Sequence, residues 1–231
     1  HGEKLDTIES WLKETDWDDQ RRFEMLKEQL VNKKILDFGC GAAGFLSKIK
    51  KFSLYAAGVE LEDRVREYWK DKIKIFSNIE DSAITENGHF DLITAFHVFE
   101  HLLDPRKTLS TLSKYLSPEG TIVIEVPNAT DALLTLYDCN SFQKFTYWSQ
   151  HLFLFNTNNL QILSQQAGFK VLSVQHYQRY SLSNHLHWLS QGLPGGHKNW
   201  SFLDTPLLQE AYASSLSKIG KTDTIIAYLQ K

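Results

Sequence analysis

Residues 35–44 read Ile-Leu-Asp-Phe-Gly-Cys-Gly-Ala-Ala-Gly, an apolar run that passes directly into three closely spaced glycines. The apolar run predicts a short β-strand, and residues 45–51 after it predict a helix. Glycine lets a ligand lie against the backbone, and the first turn of a helix offers unpaired N–H groups. The stretch therefore predicts a cofactor-binding turn, although this glycine spacing alone fits nicotinamide or flavin cofactors equally well.

Two acidic residues stand at the expected ends of strands. Asp37 precedes the first glycine, and Glu60 closes a second apolar run at residues 54–60. A carboxylate at the second position can accept both hydroxyl groups of a ribose. Asp37 also fits the simpler role of an aspartate that caps a turn.

Short apolar strands and amphipathic helices alternate as far as Pro127, which predicts a parallel sheet with helices on both faces. After Pro127 this alternation stops. The pattern there predicts an aromatic-rich connection, a helix, a sixth strand and a last strand that returns antiparallel at the sheet edge. The expected strands cover residues 34–38, 54–60, 72–76, 90–96, 121–126, 170–177 and 222–229.

The expected domain organisation has two parts. Residues 1–33 form an amino-terminal helical extension, with one or two amphipathic helices over Leu5–Val31 broken near Trp17. Residues 34–231 form the main domain, with cap segments at about 128–156 and 181–221. The glycines at 192, 195 and 196 fit either a hinge or a tight turn in that cap. Because the chain begins with His-Gly, we expect these two residues to be a tag remnant.

Composition excludes several classes of protein. The 231 residues include 42% hydrophobic and 23% charged side chains, which is globular composition, with a formal net charge of −3. This balance gives no basic surface for nucleic acid, and no apolar run is long enough to span a membrane. Two cysteines cannot form a disulfide framework, and no secretory signal is present, so we expect a cytoplasmic protein.

From Lys34 to the carboxyl terminus, the sequence resembles the class I S-adenosylmethionine-dependent methyltransferases. Residues 37–41 (Asp-Phe-Gly-Cys-Gly) are similar to that family's first motif, D-x-G-x-G. Residues 90–101 are similar to its fourth-strand signature, and residues 116–121 match the turn into its fifth strand. Residues 151–169 resemble the small-molecule branch that contains quinone, sugar and polyketide methyltransferases. The resemblance implies a Rossmann-like, seven-stranded, mostly parallel sheet with amino-terminal helices and a helical cap before the last strand.

The resemblance also implies how S-adenosylmethionine binds. The backbone of residues 39–41 contacts the methionine part, Asp37 supports its ammonium group, and Glu60 holds the ribose. Asn78 stands where many members have aspartate, so it keeps an acceptor oxygen but loses the charge. The implied cofactor-binding residues are Asp37, Gly39, Cys40, Gly41, Glu60, Leu61, Asn78, Ile79 and Phe96.

Methyl transfer to a hydroxyl group needs an acceptor for the released proton, and histidine accepts protons near neutral pH. His97 follows the fourth expected strand, and His151 lies in the aromatic-rich connection, so both are candidate bases. For His151, the favoured alternative is a hydrogen-bonded structural histidine in the pocket wall. Aromatic rings combined with arginine suit a bulky small-molecule acceptor with a polar or anionic handle, because rings stack and arginine pairs with phosphate or carboxylate. The candidate acceptor-binding residues are Tyr147, Trp148, Tyr177, Arg179 and His185.

His97, Glu100 and His101 form the pattern H-x-x-E-H on one helical face. Some quinone O-methyltransferases similar to this chain bind a divalent metal here through two glutamates and a histidine, and His97 replaces the first glutamate. Three ligands are too few without a partner from elsewhere. The expectation is therefore no metal, with these three residues as the alternative.

Together these features predict a methyltransferase that uses S-adenosylmethionine to methylate a small molecule, with a hydroxyl oxygen as the favoured acceptor. Two alternatives stay open. One is a catalytically silent scaffold or regulatory subunit that binds the cofactor, and the other is a protein methyltransferase with an open acceptor groove. The sequence gives no indication of the oligomeric state.

Overall fold

The computed structural model describes residues 7–81, 83–84 and 88–231. The expected tag remnant and the expected helix start at Leu5 lie outside these ranges. The strands are β1 (Lys34–Phe38), β2 (Tyr55–Val59), β3 (Lys74–Phe76), β4 (Phe90–Phe96), β5 (Leu116–Pro127), β6 (Lys170–Tyr177) and β7 (Thr224–Gln230). They form one sheet in the order β3-β2-β1-β4-β5-β7-β6. Strand β7 runs antiparallel to both neighbours, while the other pairs are parallel, which confirms the expected α/β sheet.

The described α-helices are α1 (Ile8–Leu30), α2 (Gly44–Ile49), α3 (Asp63–Trp69), α4 (Pro105–Leu112), α5 (Ala132–Thr135), α6 (Asn140–Thr146), α7 (Thr157–Gln166), α8 (Leu182–Gln191), α9 (Gly196–Asn199) and α10 (Pro206–Lys218). Short 3-10 helices cover Phe99–His101, Ser113–Tyr115 and Ser201–Leu203. None of these helices combines the length and the apolar character that a membrane crossing requires.

Both faces of the sheet are buried. In β1, Ile35 belongs to one hydrophobic cluster and the next residue, Leu36, belongs to another. Successive strand residues point to opposite faces, so the two clusters are the cores on the two sides of the sheet. A parallel sheet covered on both faces gives strands that are apolar along their whole length, which is why the sequence pattern revealed them.

The expected position of the last strand at the sheet edge was wrong. Strand β7 lies between β5 and β6, and β6 is the edge strand. The first six residues of β7 are all buried, whereas the eight residues of β6 are exposed or only partly buried. The continuous apolar run of β7 therefore reflects strand neighbours on both sides.

The expected break of the amino-terminal helix near Trp17 was also wrong, because α1 is continuous over 23 residues. It contains neither glycine nor proline, the residues that most often break a helix. Thr7 caps its start by accepting a hydrogen bond from the Ser10 N–H at 3.1 Å. The helix lies across the glycine turn: a methyl group at position 41 would be 3.2 Å from the Trp11 ring, and one at position 44 would collide with Asp19.

The second group of glycines forms a tight turn in the cap between β6 and β7. Gly192 ends α8 with a φ of 68°, and Gly195 begins α9 with a φ of 116°. Both values lie in the left-handed region that favours glycine. A side chain at Gly196 would collide with the backbone of Ser183, so this turn packs closely against the start of α8.

Candidate functional site

The turn after β1 has the geometry of a ligand-binding loop. Gly39 and Gly41 have φ values of 73° and 52°, which glycine adopts without strain. The N–H groups of Gly39 and Cys40 donate to the Val59 carbonyl at 2.9 and 3.0 Å, which holds the loop against the end of β2. A side chain at position 39 would lie 2.5 Å from a methyl group of Val98. No side chain fits at position 39 without a shift of Val98, so the loop backbone stays accessible there.

Glu60 lies directly at this loop. Its Oε2 accepts the Gly41 N–H at 2.9 Å, and its Oε1 accepts the N–H groups of Leu61 and Glu62 at 2.7 and 3.1 Å. Leu61 beside it is 79% exposed and presents an apolar surface next to the polar loop. A carboxylate and an apolar side chain placed together in this way suit the ribose and the base of a nucleoside.

Asp37 is a buried carboxyl group at the end of β1. It accepts a hydrogen bond from the Thr94 hydroxyl of β4 at 2.7 Å. Burial raises the pKa of Asp37 to about 7, although the Thr94 hydrogen bond and Arg22 of α1 oppose the increase. The negative charges of Asp19 in α1 and of Glu60 raise the pKa of Asp37 further. The protonation of this group is therefore sensitive to any cation that binds near the loop.

The other expected cofactor residues lie along the same edge of the sheet. Because β1, β2 and β3 are parallel neighbours, their carboxyl ends lie side by side. Asn78, after β3, is exposed and accepts the Glu80 N–H at 2.9 Å, while Ile79 packs against the core. Cys40 packs against Gly58, and burial raises the pKa of its thiol. Phe96, at the end of β4, is buried edge-to-face against Phe45 with 5.2 Å between ring centroids.

A buried ionic cluster joins α1 to the sheet, and the sequence pattern did not indicate it. Glu125 of β5 is fully buried and accepts hydrogen bonds from Arg21 Nη2 and Arg22 Nη2, each at 2.8 Å. Burial raises the pKa of Glu125, but Arg22, His97 and Arg21 together hold it well below the usual range. The one sequence feature that points to this cluster is Glu125 itself, a single acidic residue inside the apolar run Ile122–Val126. A charge in such a run needs buried partners.

His97, the first candidate base, extends this cluster. Its Nδ1 lies 3.1 Å from Glu100 Oε1, and its Nε2 lies 3.2 Å from Glu125 Oε1 and 3.0 Å from Arg179 Nη1. Burial and Arg179 lower the pKa of His97, but the hydrogen bonds to Glu100 and Glu125 outweigh them and raise it above its usual value. Both ring nitrogens of His97 thus already have partners.

Tyr177 and Arg179 lie together beside a cavity of about 450 Å³ between α1, the end of β6 and α10. Trp17 lines the same cavity. The Arg179 guanidinium is paired with the Asp18 carboxylate, with Nε 3.1 Å from Oδ1, and the Arg21 guanidinium lies 4.6 Å above the Tyr177 ring. An anionic acceptor at Arg179 would therefore compete with Asp18.

The remaining expected acceptor residues lie at two other places. Tyr147 and Trp148 are near His151, and the Trp148 and His151 ring centroids are 5.7 Å apart, while Tyr147 is 57% exposed. His185 is buried inside the cap, where its Nδ1 is 2.7 Å from the Tyr212 hydroxyl, and burial lowers its pKa to about 4. The structure thus brings the expected cofactor residues to one edge but divides the expected acceptor residues among three places.

His151, the second candidate base, lies beside Glu100 and His101. One ligand atom from each of these three residues lies within 4.8 Å of the others. The His151 Nδ1 donates to the Thr146 carbonyl at 2.9 Å, which leaves Nε2 with a free lone pair, and burial lowers the pKa of the ring. This arrangement differs from the sequence-based metal option, which had His97 in place of His151.

Comparisons with known proteins identify relatives of this chain. A family model described as a methyltransferase domain matches residues 10–174. Over 129 residues the chain is 30% identical to a ubiquinone biosynthesis O-methyltransferase of Psychrobacter cryohalolentis, covering 48% of this chain and 46% of the relative. A protein of the same name from Thiobacillus denitrificans is 24% identical over 133 residues, covering 48% of this chain and 57% of the relative. The chain therefore spans about half the length of these relatives.

Solved structures resemble this one over nearly its whole length. A SAM-dependent methyltransferase from Archaeoglobus fulgidus has a TM-score of 0.61 and 19% identity, covering 96% of this chain and 99% of that one. A possible histamine N-methyltransferase from Thermotoga maritima has a TM-score of 0.60 and 17% identity, covering 96% of this chain and 93% of that one. At these identities the likeness shows a shared fold.

Proposed function

The chain belongs to the methyltransferase-domain family, and we propose that it transfers a methyl group from S-adenosylmethionine to a hydroxyl oxygen of a small molecule. The match over residues 10–174 covers most of the chain, including the glycine turn. The relatives named as O-methyltransferases support an oxygen acceptor. The acceptor we propose is a hydroxylated aromatic or similarly compact small molecule.

The observation on which the proposal mainly rests is the position of the Glu60 carboxylate, which is hydrogen-bonded to the glycine loop after β1. Its bond to the Gly41 N–H at 2.9 Å holds the carboxylate beside a backbone that a ligand can approach closely, which supports a ribose-binding role for Glu60. The exposed Leu61 supplies an apolar surface for adenine. Asp37 supplies a negative charge for the ammonium group of the methionine part. These residues fit S-adenosylmethionine, which when bound supplies an electrophilic methyl group.

The protein's own residues have three tasks in this reaction: alignment of the acceptor, exclusion of water and removal of a proton. Trp17 and Tyr177 line a cavity suited to an aromatic acceptor. His97 and His151 are the candidate bases. With Nδ1–H donating to Glu100, the His97 Nε2 still lies against Glu125 and Arg179, so His97 can accept a proton there only if both partners give way. His151 has its Nε2 free without rearrangement.

The proposal is tested in two steps. Titration calorimetry with S-adenosylhomocysteine, the product form of the cofactor, is expected to show binding to the purified chain. Radiolabelled S-adenosylmethionine is then supplied with catechol as a small hydroxylated probe and with a mixture of unfolded proteins as competing acceptors. Label on catechol supports the proposal, label on protein favours a protein methyltransferase, and binding without transfer to either favours a scaffold.

Binding of S-adenosylhomocysteine is expected to tighten as the pH rises through about 7, because the pKa of Asp37 is about 7. The ammonium group of the ligand favours the ionised carboxyl group, so binding lowers the pKa of Asp37 and releases its proton. Below this pKa the proton must leave first, which costs affinity by up to about tenfold per pH unit. Calorimetry between about pH 6 and about pH 8 measures the slope, and Asp37→Asn should flatten it. Equal affinity of the wild-type chain across this range contradicts the role of Asp37.

Replacement of the base is expected to slow methyl transfer without weakening cofactor binding. His97→Gln and His151→Ala are compared by the rate of label transfer to the acceptor and by calorimetry with S-adenosylhomocysteine. Loss of a general base lowers kcat by roughly 100-fold to 10,000-fold. His197→Ala, which removes an exposed histidine of the cap, is the matched control. A variant that retains the wild-type rate eliminates that histidine as the base.

A further inference from the structure

We propose that Arg21 and Arg179 form a clamp for a carboxylate group of the acceptor, and that the carboxylate of Asp18 occupies this clamp until the acceptor binds. The inference rests on the proposed function, because it names the chemical class of the acceptor. It goes beyond that function by assigning the charge of the acceptor and the side chains that recognise it.

The clamp already holds a carboxylate, which the protein itself supplies. Asp18 Oδ1 accepts hydrogen bonds from Arg21 Nη2 and Arg179 Nε, each at 3.1 Å. Asp18 Oδ2 also pairs with Arg179 Nη2, so Arg179 holds both oxygens at once. Two parallel bonds of this kind are how arginine recognises a planar carboxylate. The geometry at Arg21 and Arg179 therefore suits a ligand carboxylate in the place of Asp18.

Charge balance favours an exchange of one carboxylate for another. The side chains of Asp18, Arg21 and Arg179 are 17%, 9% and 16% exposed. Burial raises the pKa of Asp18, but Arg179, Arg22 and Arg21 outweigh it and lower the pKa below its usual value. Within the described part of the chain, Asp18 is the one carboxylate in an ion pair with Arg179. A buried charge needs a partner, so a ligand that displaces Asp18 must bring a negative charge of its own.

The clamp lies beside the cavity of about 450 Å³, and two polar atoms there lack partners. Trp17, Tyr177, Arg179 and Gln209 line the cavity. The Arg21 guanidinium lies 4.6 Å from the Tyr177 ring centroid and 6.0 Å from that of Trp17. Among the described residues, Arg21 Nη1 and Gln209 Oε1 are buried without a hydrogen-bond partner. A free donor and a free acceptor at an aromatic cavity indicate a ligand that brings both a carboxylate and a hydroxyl group.

Arg179 also connects this cavity with a candidate base. Its Nη1 lies 3.0 Å from His97 Nε2, and His97 directly follows β4. Strand β4 is the parallel neighbour of β1, whose end forms the glycine turn. A ligand whose carboxylate replaces Asp18 therefore lies next to the proposed reaction site, as an acceptor must.

The test compares three catechols that share one ring and differ in the charge of the side group. They are 3,4-dihydroxyphenylacetate, which is negative, 4-methylcatechol, which is neutral, and dopamine, which is positive. Titration calorimetry measures the binding of each compound to the purified full chain, so the readout requires no turnover. We expect 3,4-dihydroxyphenylacetate to bind about tenfold or more tightly than the other two, which is the contribution of one hydrogen bond between charged groups.

Two substitutions should act in opposite directions, which damage to the fold cannot produce. Asp18→Asn removes the competing charge and should tighten the binding of 3,4-dihydroxyphenylacetate by about tenfold. Arg179→Gln removes half of the clamp and should weaken that binding by roughly 10- to 100-fold, which eliminates the preference over 4-methylcatechol. Arg106→Gln, which removes an exposed arginine of α4, is the matched control and should bind as the wild-type chain does. Unfolding midpoints identify the folded variants, and Asp18→Asn alone decides the test if Arg179→Gln fails to fold.

Three results would overturn the proposal: equal binding of the three catechols by Asp18→Asn, tighter binding of dopamine by the wild-type chain, or an unchanged preference in folded Arg179→Gln. A preference for dopamine would show that Asp18, not the arginines, meets the ligand. Label transfer separates this inference from the proposed function. Methylation of 4-methylcatechol without any carboxylate preference refutes the clamp and leaves the function intact. Selective carboxylate binding without methylation of any catechol refutes the function and leaves the carboxylate site.

Discussion

Replacing Glu60 by alanine is expected to eliminate measurable binding of S-adenosylhomocysteine. A hydrogen bond to a charged group contributes about 1.5–3 kcal/mol. In the variant, each of the two ribose hydroxyls would lose its hydrogen bond to the Glu60 carboxylate. The combined loss of about 3–6 kcal/mol lowers affinity by roughly 100-fold to 10,000-fold. The Gly41 N–H also loses its acceptor at 2.9 Å, which loosens the loop that we propose to hold the methionine part. Titration calorimetry on the purified variant measures the effect.

The controls separate the Glu60 carboxylate from general damage to this region. Glu62→Ala removes a neighbouring carboxylate whose side chain is 44% exposed, and it should bind within about twofold of the wild-type chain. Gly39→Val should also lose the ligand, because Gly39 has a φ of 73° and a side chain there would lie 2.5 Å from Val98. Normal binding by Glu60→Ala, with an unchanged unfolding midpoint, would show that the cofactor assignment is wrong.

Local sequence was sufficient to predict the glycine turn after β1 and most of the strands. The turn at Gly39 and the acids at positions 37 and 60 follow from one strand–turn–helix unit and its neighbour, so spacing along the chain determines where they lie. The strands were recognisable because both faces of the sheet are buried. Helix α1 was recognisable from its apolar spacing, but its continuity through Trp17 was not.

Long-range pairing was beyond what the sequence pattern could predict. The charges of α1 were compatible with a helix face exposed to water, whereas Arg21 and Arg22 are partners of Glu125, more than 100 residues away. The position of β7 inside the sheet depends on which neighbours it pairs with, and its own residues do not encode that choice. His151 approaches His101 through the fold of a loop for which no periodic pattern exists.

Glu125→Gln is expected to destabilise the protein more than any other single substitution considered above. Glu125 is fully buried and accepts hydrogen bonds from both Arg21 and Arg22. Glutamine preserves the shape but removes the charge, which leaves two arginines of α1 against a neutral amide. Breaking a buried pair by removing one partner costs about 3–5 kcal/mol, because the remaining charge stays buried without compensation. Urea unfolding followed by circular dichroism measures the free energy of unfolding.

The matched control is Glu24→Gln in the same helix. Glu24 pairs with Lys27 at 3.1 Å, but both side chains are more than half exposed. Water screens such a pair, so this substitution should cost only about 0–1 kcal/mol. The difference between the two variants isolates burial, because both remove one carboxylate from an ion pair that involves α1. If Glu125→Gln costs no more than Glu24→Gln, then α1 is not held to the sheet by this cluster. The apolar contacts of Leu26 and Leu30 would then have to provide the attachment.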